Sequence, residues 1–274
     1  MKTENAKKLH GIFSALCVSL LFAFCLVLLA GCRLLVANEY MTYNDTEYTL
    51  CGASLSTRVE IIYVDWVCGD VSVEVSDTVD YVSFYESSDK VNVQGGDFAL
   101  RYRVFGNQLY VRFAKSRASL KGNPRKELSV TIPDKLIDFV KIENVSGGVS
   151  VRGASVEKET GTEFRVETVS GGVSFLNVNA RDVGIVTVSG NVSVTSCVFA
   201  VQEKINTVSG DVEIWFGPQK VFVCTFNTVS GKVDNHIEAT KIGNVFSYGT
   251  GEQLPISVDT VSGNLKLLLI PVYA

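Results

Sequence analysis

The chain reads as an all-β protein, a parallel β-solenoid with turns of about 20 residues, a β-hairpin region on its N-terminal side and one hydrophobic signal or anchor helix ahead of that. Three observations predict this. The phrase Asn144-Val145-Ser146-Gly147 returns as Thr168-Val169-Ser170-Gly171, Thr187-Val188-Ser189-Gly190, Thr207-Val208-Ser209-Gly210, Thr228-Val229-Ser230-Gly231 and Thr260-Val261-Ser262-Gly263. The serines lie 24, 19, 20, 21 and 32 residues apart, and a period of this size marks stacked supersecondary units. After each glycine, apolar and polar residues alternate with the period of two that a half-buried strand requires.

The N-terminus comes first. Lys2, Lys7 and Lys8 precede an apolar run over 12–30 that closes on Leu29-Ala30-Gly31-Cys32. Small residues before a cysteine resemble a bacterial lipobox, so 1–31 is expected to be a lipoprotein signal peptide and Cys32 the site of lipid attachment. The alternative is an uncleaved anchor, because the run continues through Leu34, Leu35 and Val36 and, at roughly 20 residues, can span a bilayer. In both cases the lysines stay inside and the folded part faces the extracytoplasmic side of the cell membrane. Residues 32–47 read as a tether and 48–274 as one β-strand-repeat domain, with regular repeats over 140–274.

Counted from each serine, the position four before is Ile142, Val166, Ile185, Ile205, Phe226 or Val258. Three after stands Val149, Val173, Val192, Val212, Val233 or Leu265. The polar residues between, among them Ser150, Ser174 and Ser193, face water. Ser-Gly-x is expected to be a corner, since Gly148, Gly172, Asn191, Asp211, Lys232 and Asn264 follow the glycines, mostly types that tolerate left-handed backbone. A two-residue hairpin at that corner would set Val188 beside Ser193 and mix core with solvent residues on one face. A three-residue loop pairing Val188 with Val192 keeps an antiparallel meander or sandwich open as the alternative. A solenoid accounts for more: it turns repeated identity into columns, with Thr168, Thr187, Thr207 and Thr228 as one ladder. In that order Asp211 neighbours Lys232 and Glu213 neighbours Asp234. The long last interval marks residues 235–251 as a loop thrown out from one coil.

Val64-Asp65-Trp66-Val67-Cys68-Gly69-Asp70-Val71 fits the same template with Cys68 in the serine slot, so it is an earlier coil. Leu100, Tyr102 and Val104 alternate with Arg101 and Arg103, and Gly106-Asn107 then turns the chain into Leu109, Val111 and Phe113, a hairpin signal. This hairpin is expected to cap one end of the stack, and Pro271 to blunt the final strand at the other.

These residues resemble a family of bacterial envelope proteins described as adhesins with β-strand repeats, related to the toast-rack domains. The resemblance rests on Tyr48-Thr49-Leu50-Cys51-Gly52-Ala53, the Val64 to Val71 segment, Leu128-Ser129-Val130-Thr131-Ile132-Pro133 and the recurring Thr-Val-Ser-Gly. The family usually has serine where this chain has Cys68. The resemblance implies an all-β repeat domain, often membrane- or lipid-anchored and sometimes linked with envelope-stress responses, with no catalytic residues and no cofactor.

Net charge is −4, yet eight basic residues and no acid fall between Arg101 and Lys126. Such a block either forms a solvated face or touches anionic lipid or a phosphate-rich wall polymer. Of the seven cysteines, Cys51, Cys68, Cys197 and Cys224 remain beyond the signal and lipobox; different places in the repeat argue for buried thiols over disulfides. His236 is the one histidine after the signal, and it reads as a surface residue. Six equivalent serines argue for corner hydroxyls that satisfy backbone groups, not nucleophiles. Glu143 and Glu167 occupy equivalent positions of successive coils, but one acid per coil falls short of a calcium shell. Catalytic residues, cofactors and metals are therefore not expected. The expected function is a non-enzymatic binding or structural module at the cell envelope, partnered by a membrane, by an envelope protein or by an anionic or glycan polymer, and not by nucleic acid. A regulatory component of envelope-stress signalling is the alternative. A polysaccharide-active β-helix enzyme using Asp211, Glu213 or Asp234 is the remaining one.

Overall fold

The computed structural model describes residues 39–122, 124–153, 161–217, 221–251 and 253–270. The expected signal or anchor helix, Cys32 and Pro271 lie outside the described residues. A short 3-10 turn (Asp45–Glu47) leads to β1 (Thr49–Leu50) and β2 (Ala53–Ser54). A first coil, β3 (Ile61–Cys68) and β4 (Val71–Ser76), is followed by β5 (Ser83–Ser87), β6 (Arg101–Phe105) and a second coil, β7 (Gln108–Arg112) with β8 (Glu127–Pro133). Four coils then succeed one another: β9 (Phe139–Ser146) with β10 (Val149–Gly153), β11 (Glu163–Ser170) with β12 (Val173–Leu176), β13 (Asn179–Thr187) with β14 (Val192–Thr195), and β15 (Val198–Thr207) with β16 (Val212–Phe216). The chain closes with β17 (Phe222–Thr228), β18 (Val233–Asn235), the pair β19 (Thr240–Ile242) and β20 (Val245–Tyr248), and a last coil, β21 (Leu254–Thr260) with β22 (Leu265–Leu269).

Each coil gives one strand to each of two mixed sheets, a 12-stranded and a 10-stranded one. Coil-to-coil pairing is parallel and in register: Val166 sits between Ile142 and Ile185, and Val173 between Val149 and Val192. Cys68 pairs with Ser146, which confirms its place in the serine slot. The antiparallel meander is excluded for the repeats, because it would pair each strand with the one across its own corner.

The order of coils departs from the sequence at both ends. The first sheet runs β1-β6-β7-β3-β9-β11-β13-β15-β21-β17-β20-β19. The last coil is therefore inserted between the β15 and β17 coils: Thr207 pairs with Thr260, and Thr260 in turn with Thr228. This corrects the expected neighbours. Asp211 stands next to Asn264, and Lys266 lies between Glu213 and Asp234. Residues 235–251 are not a plain loop, since β20 pairs with β17 and β19 with β20, both antiparallel, and they close that end of the first sheet. At the opposite end the predicted hairpin forms as β6 and β7, with β1 beyond it. Antiparallel strands thus cover both ends of the first sheet, where a parallel stack would otherwise present a long open edge.

The recurring phrase is explained by the corner. A Cβ on Gly210 would come within 1.9 Å of the Gly190 carbonyl oxygen, and one on Gly190 within 1.8 Å of that of Gly171. Only glycine lets these backbones stack. The buried threonine three residues earlier accepts a hydrogen bond from the glycine amide, at 3.0 Å for Thr187, 2.9 Å for Thr207 and 2.8 Å for Thr260. The serine hydroxyl donates across coils, Ser189 to the Val169 carbonyl at 3.2 Å and Ser209 to that of Val188 at 3.3 Å. Serine and threonine hydroxyls of these corners are thus both spent on the backbone, whereas the buried Thr168 hydroxyl finds no partner among the described residues. Inside, the valine, isoleucine and phenylalanine columns form one continuous core. The four cysteines are thiols, with Cys68, Cys197 and Cys224 buried and Cys51 half-buried. Residues 39–47, read from sequence as part of a tether, pack on the domain: Tyr40 is buried and its hydroxyl accepts from the Phe113 amide at 3.1 Å.

Candidate functional site: a hydroxyl-lined groove on the second sheet

The outer face of the first sheet is closed by ion pairs. Arg112 pairs with Asp65, Lys141 with Glu143 and, at 3.3 Å, with Glu167, and Arg165 with Glu163 at 3.0 Å and Asp182 at 2.9 Å. The adjacent acids Glu143 and Glu167 therefore share one lysine of their own face.

The outer face of the second sheet differs. Beside the Ser-Gly corners a groove of about 450 Å³ crosses several coils, lined by Asp70, Gly148, Ser150, Gly172, Ser174, Asn191, Ser193, Asp211, Glu213 and Lys266. Its shape follows from the sequence: the second and fourth positions after each repeat serine point outward, and in the central coils they carry only glycine, serine and asparagine. Along its edge an Asx side chain of one coil accepts from the amide of the next. Asp70 accepts from Gly148 at 2.8 Å, Asn191 from Asp211 at 3.0 Å, Asp211 from Asn264 at 2.8 Å and Asn264 from Lys232 at 3.0 Å. Gly148 and Gly172 have no side chain to offer, so the amides of Gly172 and Asn191 lack the acceptor that their counterparts have. The ladder is interrupted inside the groove. A Cβ at either glycine would meet only ordinary contacts, 3.5 Å at Gly148 and 3.4 Å at Gly172, so the gap has room for a side chain. Two positions further along each strand, Leu176, Thr195, Trp215 and Leu268 form a half-buried bank.

The acids once grouped as a candidate catalytic set are dispersed in role. Asp211 accepts from the Asn264 backbone and side chain, Glu213 pairs with Lys266 at 3.2 Å, and Asp234 pairs with His236 at 2.9 Å. His236 is exposed, as read from sequence.

The basic segment is not a uniform solvated face. Arg103 pairs with Glu47, Arg112 with Asp65, Lys115 with Asp97 at 3.5 Å, Arg125 with Asp70 at 3.4 Å and Lys126 with Glu86 at 2.5 Å. Arg101 is buried and donates to the Ala99 and Gly96 carbonyls. Lys126 is fully buried, with its ammonium 4.7 Å from the Trp66 ring centre, 4.5 Å from that of Phe113 and 2.6 Å from the Phe98 carbonyl oxygen. Burial pulls the Lys126 ammonium down to about 8 against the opposing pull of Glu86, and burial raises the Glu86 carboxyl.

Sequence reasoning missed one core group. Six residues before the repeat serine the inward column reads Val140, Phe164, Val183, Glu203, Cys224 and Ile256. Glu203 is 1% exposed, and among the described residues neither carboxyl oxygen finds a hydrogen-bond partner. Burial pushes its carboxyl up to about 8. Burial, and then the charge of Glu203, also raise the Cys224 thiol.

The sequence matches the Toastrack DUF4097 family over residues 62–214 and again over 162–268. The chain belongs to that family. Among solved structures, a "putative cell adhesion protein" from Clostridium sporogenes aligns at 12% identity and TM-score 0.49, over 81% of this chain and 100% of that one. A "putative adhesin" from Bacteroides fragilis aligns at 13% identity and TM-score 0.37, over 80% of this chain and 97% of its own. A "putative lipid binding protein" from Parabacteroides distasonis aligns at 11% identity and TM-score 0.32, over 80% and 96%. No curated protein matches the chain.

Proposed function

We propose that this Toastrack protein is a non-enzymatic binding module of the cell envelope, held at the extracytoplasmic face of the membrane by lipid on Cys32 or by an uncleaved anchor, and that its groove takes a glycan polymer. The observation that carries the reading is the interrupted ladder: two neighbouring backbone amides without their usual side-chain acceptor, in a groove paved with Ser150, Ser174 and Ser193. Hydroxyl, amide or carboxylate oxygens of a sugar chain supply the missing acceptors. The half-buried Trp215 and its aliphatic neighbours offer the apolar contact that sugar rings favour. Coils stack about 4.8 Å apart, so equivalent donors recur along the groove and suit an extended repeating ligand. A non-enzymatic role is supported by the engagement of the groove's acids with protein groups, Asp211 accepting from the Asn264 backbone and side chain and Glu213 pairing with Lys266 at 3.2 Å, which leaves neither as a free acid or base.

The test is binding of purified envelope glycopolymers to the wild-type domain and to the double variant Gly148→Asn, Gly172→Asn. The new side chains complete the ladder and fill the groove. Wild type should bind and the variant should not, while both unfold cooperatively. Equal binding by both, or recovery of nothing by the wild type from any envelope polymer, would count against the reading.

A further inference from the structure

The corner between β7 and β8 differs from every other corner of the stack. Where the repeats turn in two or four residues, this terminal coil has a long connection between Arg112 and Glu127. Residues 39–48 run beside it and hold it. The Tyr40 amide donates to the Ala118 carbonyl at 2.7 Å, the Arg117 amide to Met41 at 3.2 Å and the Tyr43 hydroxyl to Ala114 at 2.5 Å, and Glu39 bridges Ser119. The chain that comes from Cys32 therefore joins the domain beside this loop.

Cys32 is seven residues before Glu39, a reach of at most about 25 Å of extended chain. Five basic residues fall in the connection; Lys126 is buried, and the other four are not equally compensated. Lys115 and Arg125 have carboxylate partners in Asp97 and Asp70. Among the described residues the Arg117 guanidinium donates only to the Thr42 hydroxyl, at 3.3 Å, and Lys121 has no acidic partner. Both side chains are exposed. Among the described residues exposed cations without an ion pair occur elsewhere too, Lys204 and Lys241 among them, but Arg117 and Lys121 are carried by the segment that residues 39–48 hold, where the chain leaves for Cys32.

We propose that the 113–122 stretch of this connection is the face this protein lays against an anionic lipid surface, with Arg117 and Lys121 at the headgroups. The inference rests on the membrane attachment proposed above. It makes the solenoid stand on its N-terminal end, with β19 and β20 at the far end. The stack comprises eight coils among the described residues, which places Lys241 on the order of 30 Å from the loop. The glycan groove then opens sideways and stays accessible.

The experiment uses the full lipidated chain on vesicles of phosphatidylcholine alone or with phosphatidylglycerol. Flotation reports attachment, and amine labelling read by mass spectrometry reports which lysines are covered. Lys121 should label at least about threefold more slowly on the anionic vesicles than on the neutral ones, the difference vanishing in high salt, while Lys241 labels equally on both. In the variant Arg117→Ala, Lys121→Ala, the slower labelling of Lys115 on anionic vesicles should be lost. Flotation with Lys121 equally reactive on both vesicles would overturn the apposed face and leave attachment standing. Failure to float would remove the attachment itself, and this inference with it.

Discussion

Replacing Glu203 by glutamine should change how stability depends on pH more than any other single substitution in this protein. Glu203 projects from β15 into the core between Val183 and Ile256, with Cys224 the titratable group near it. Its carboxyl is held up at about 8, against an ordinary value of 4.5, by burial alone. Because the folded value is the higher one, the native state keeps a proton that the unfolded chain has lost across that window. Stability from this group is therefore fully present below pH 4.5 and declines by about 1.4 kcal/mol per pH unit until pH reaches about 8. At pH 7 the accumulated loss is about 3 kcal/mol, a large part of the stability of an ordinary domain. Glutamine has nearly the same shape and never ionises. Urea unfolding of both proteins at pH 5, 6, 7 and 8 should give a difference in stability that grows in favour of Glu203→Gln as pH rises. Subtracting one protein from the other removes the contributions of all other titrating groups. A difference that stays constant with pH, or grows in favour of wild type, would refute the placement of this carboxyl in an unpaired, dry site.

Other consequences are equally open to measurement. Gly210→Ala should cost more than about 2 kcal/mol, because its Cβ meets the Gly190 carbonyl oxygen at 1.9 Å, whereas Gly95→Ala, with nothing within 4 Å, should stay within about 1 kcal/mol of wild type by thermal unfolding. Lys126→Met should destabilise by about 3 kcal/mol by leaving Glu86 buried without its counter-charge, and adding Glu86→Gln should recover part of that loss in a double-mutant cycle. Zero-length carbodiimide cross-linking followed by peptide mass spectrometry should join Glu213 to Lys266 and not Asp211 to Lys232, since the last coil lies between theirs.

The regular part of the solenoid was legible because inward positions repeat in kind, so that Ile142, Val166 and Ile185 declare one column and Cys68 falls into the serine slot. The order of the coils was not. By sequence alone Thr207 would stack on Thr228 as well as on Thr260, its partner in the structure, and a sequence whose repeats are interchangeable cannot say which of two equivalent coils is inserted. Lys126 was misread for a related reason: its partner Glu86 is 40 residues away, and a run of like charge conceals acids that only folding brings near. Glu203 left a trace, a lone acid in the column of Val140, Phe164 and Val183, but that column lies six residues before the serine and outside the part of the repeat whose alternation is obvious. The groove is legible only once register is known. Glycine at 148 and 172 reads as a corner residue until its neighbours Asp70, Asn191 and Asp211 are seen to form a ladder across coils.

The account turns on the break in that ladder being a place where a ligand's oxygens are received. Amide resonances of the ¹⁵N-labelled domain, titrated with envelope glycopolymer, test this residue by residue. Gly172 and Asn191 should shift first and most, and Asp211 and Asn264, whose amides already have side-chain acceptors, should shift least along the edge. A titration that moves resonances on the first sheet while Gly172 and Asn191 stay still would contradict it.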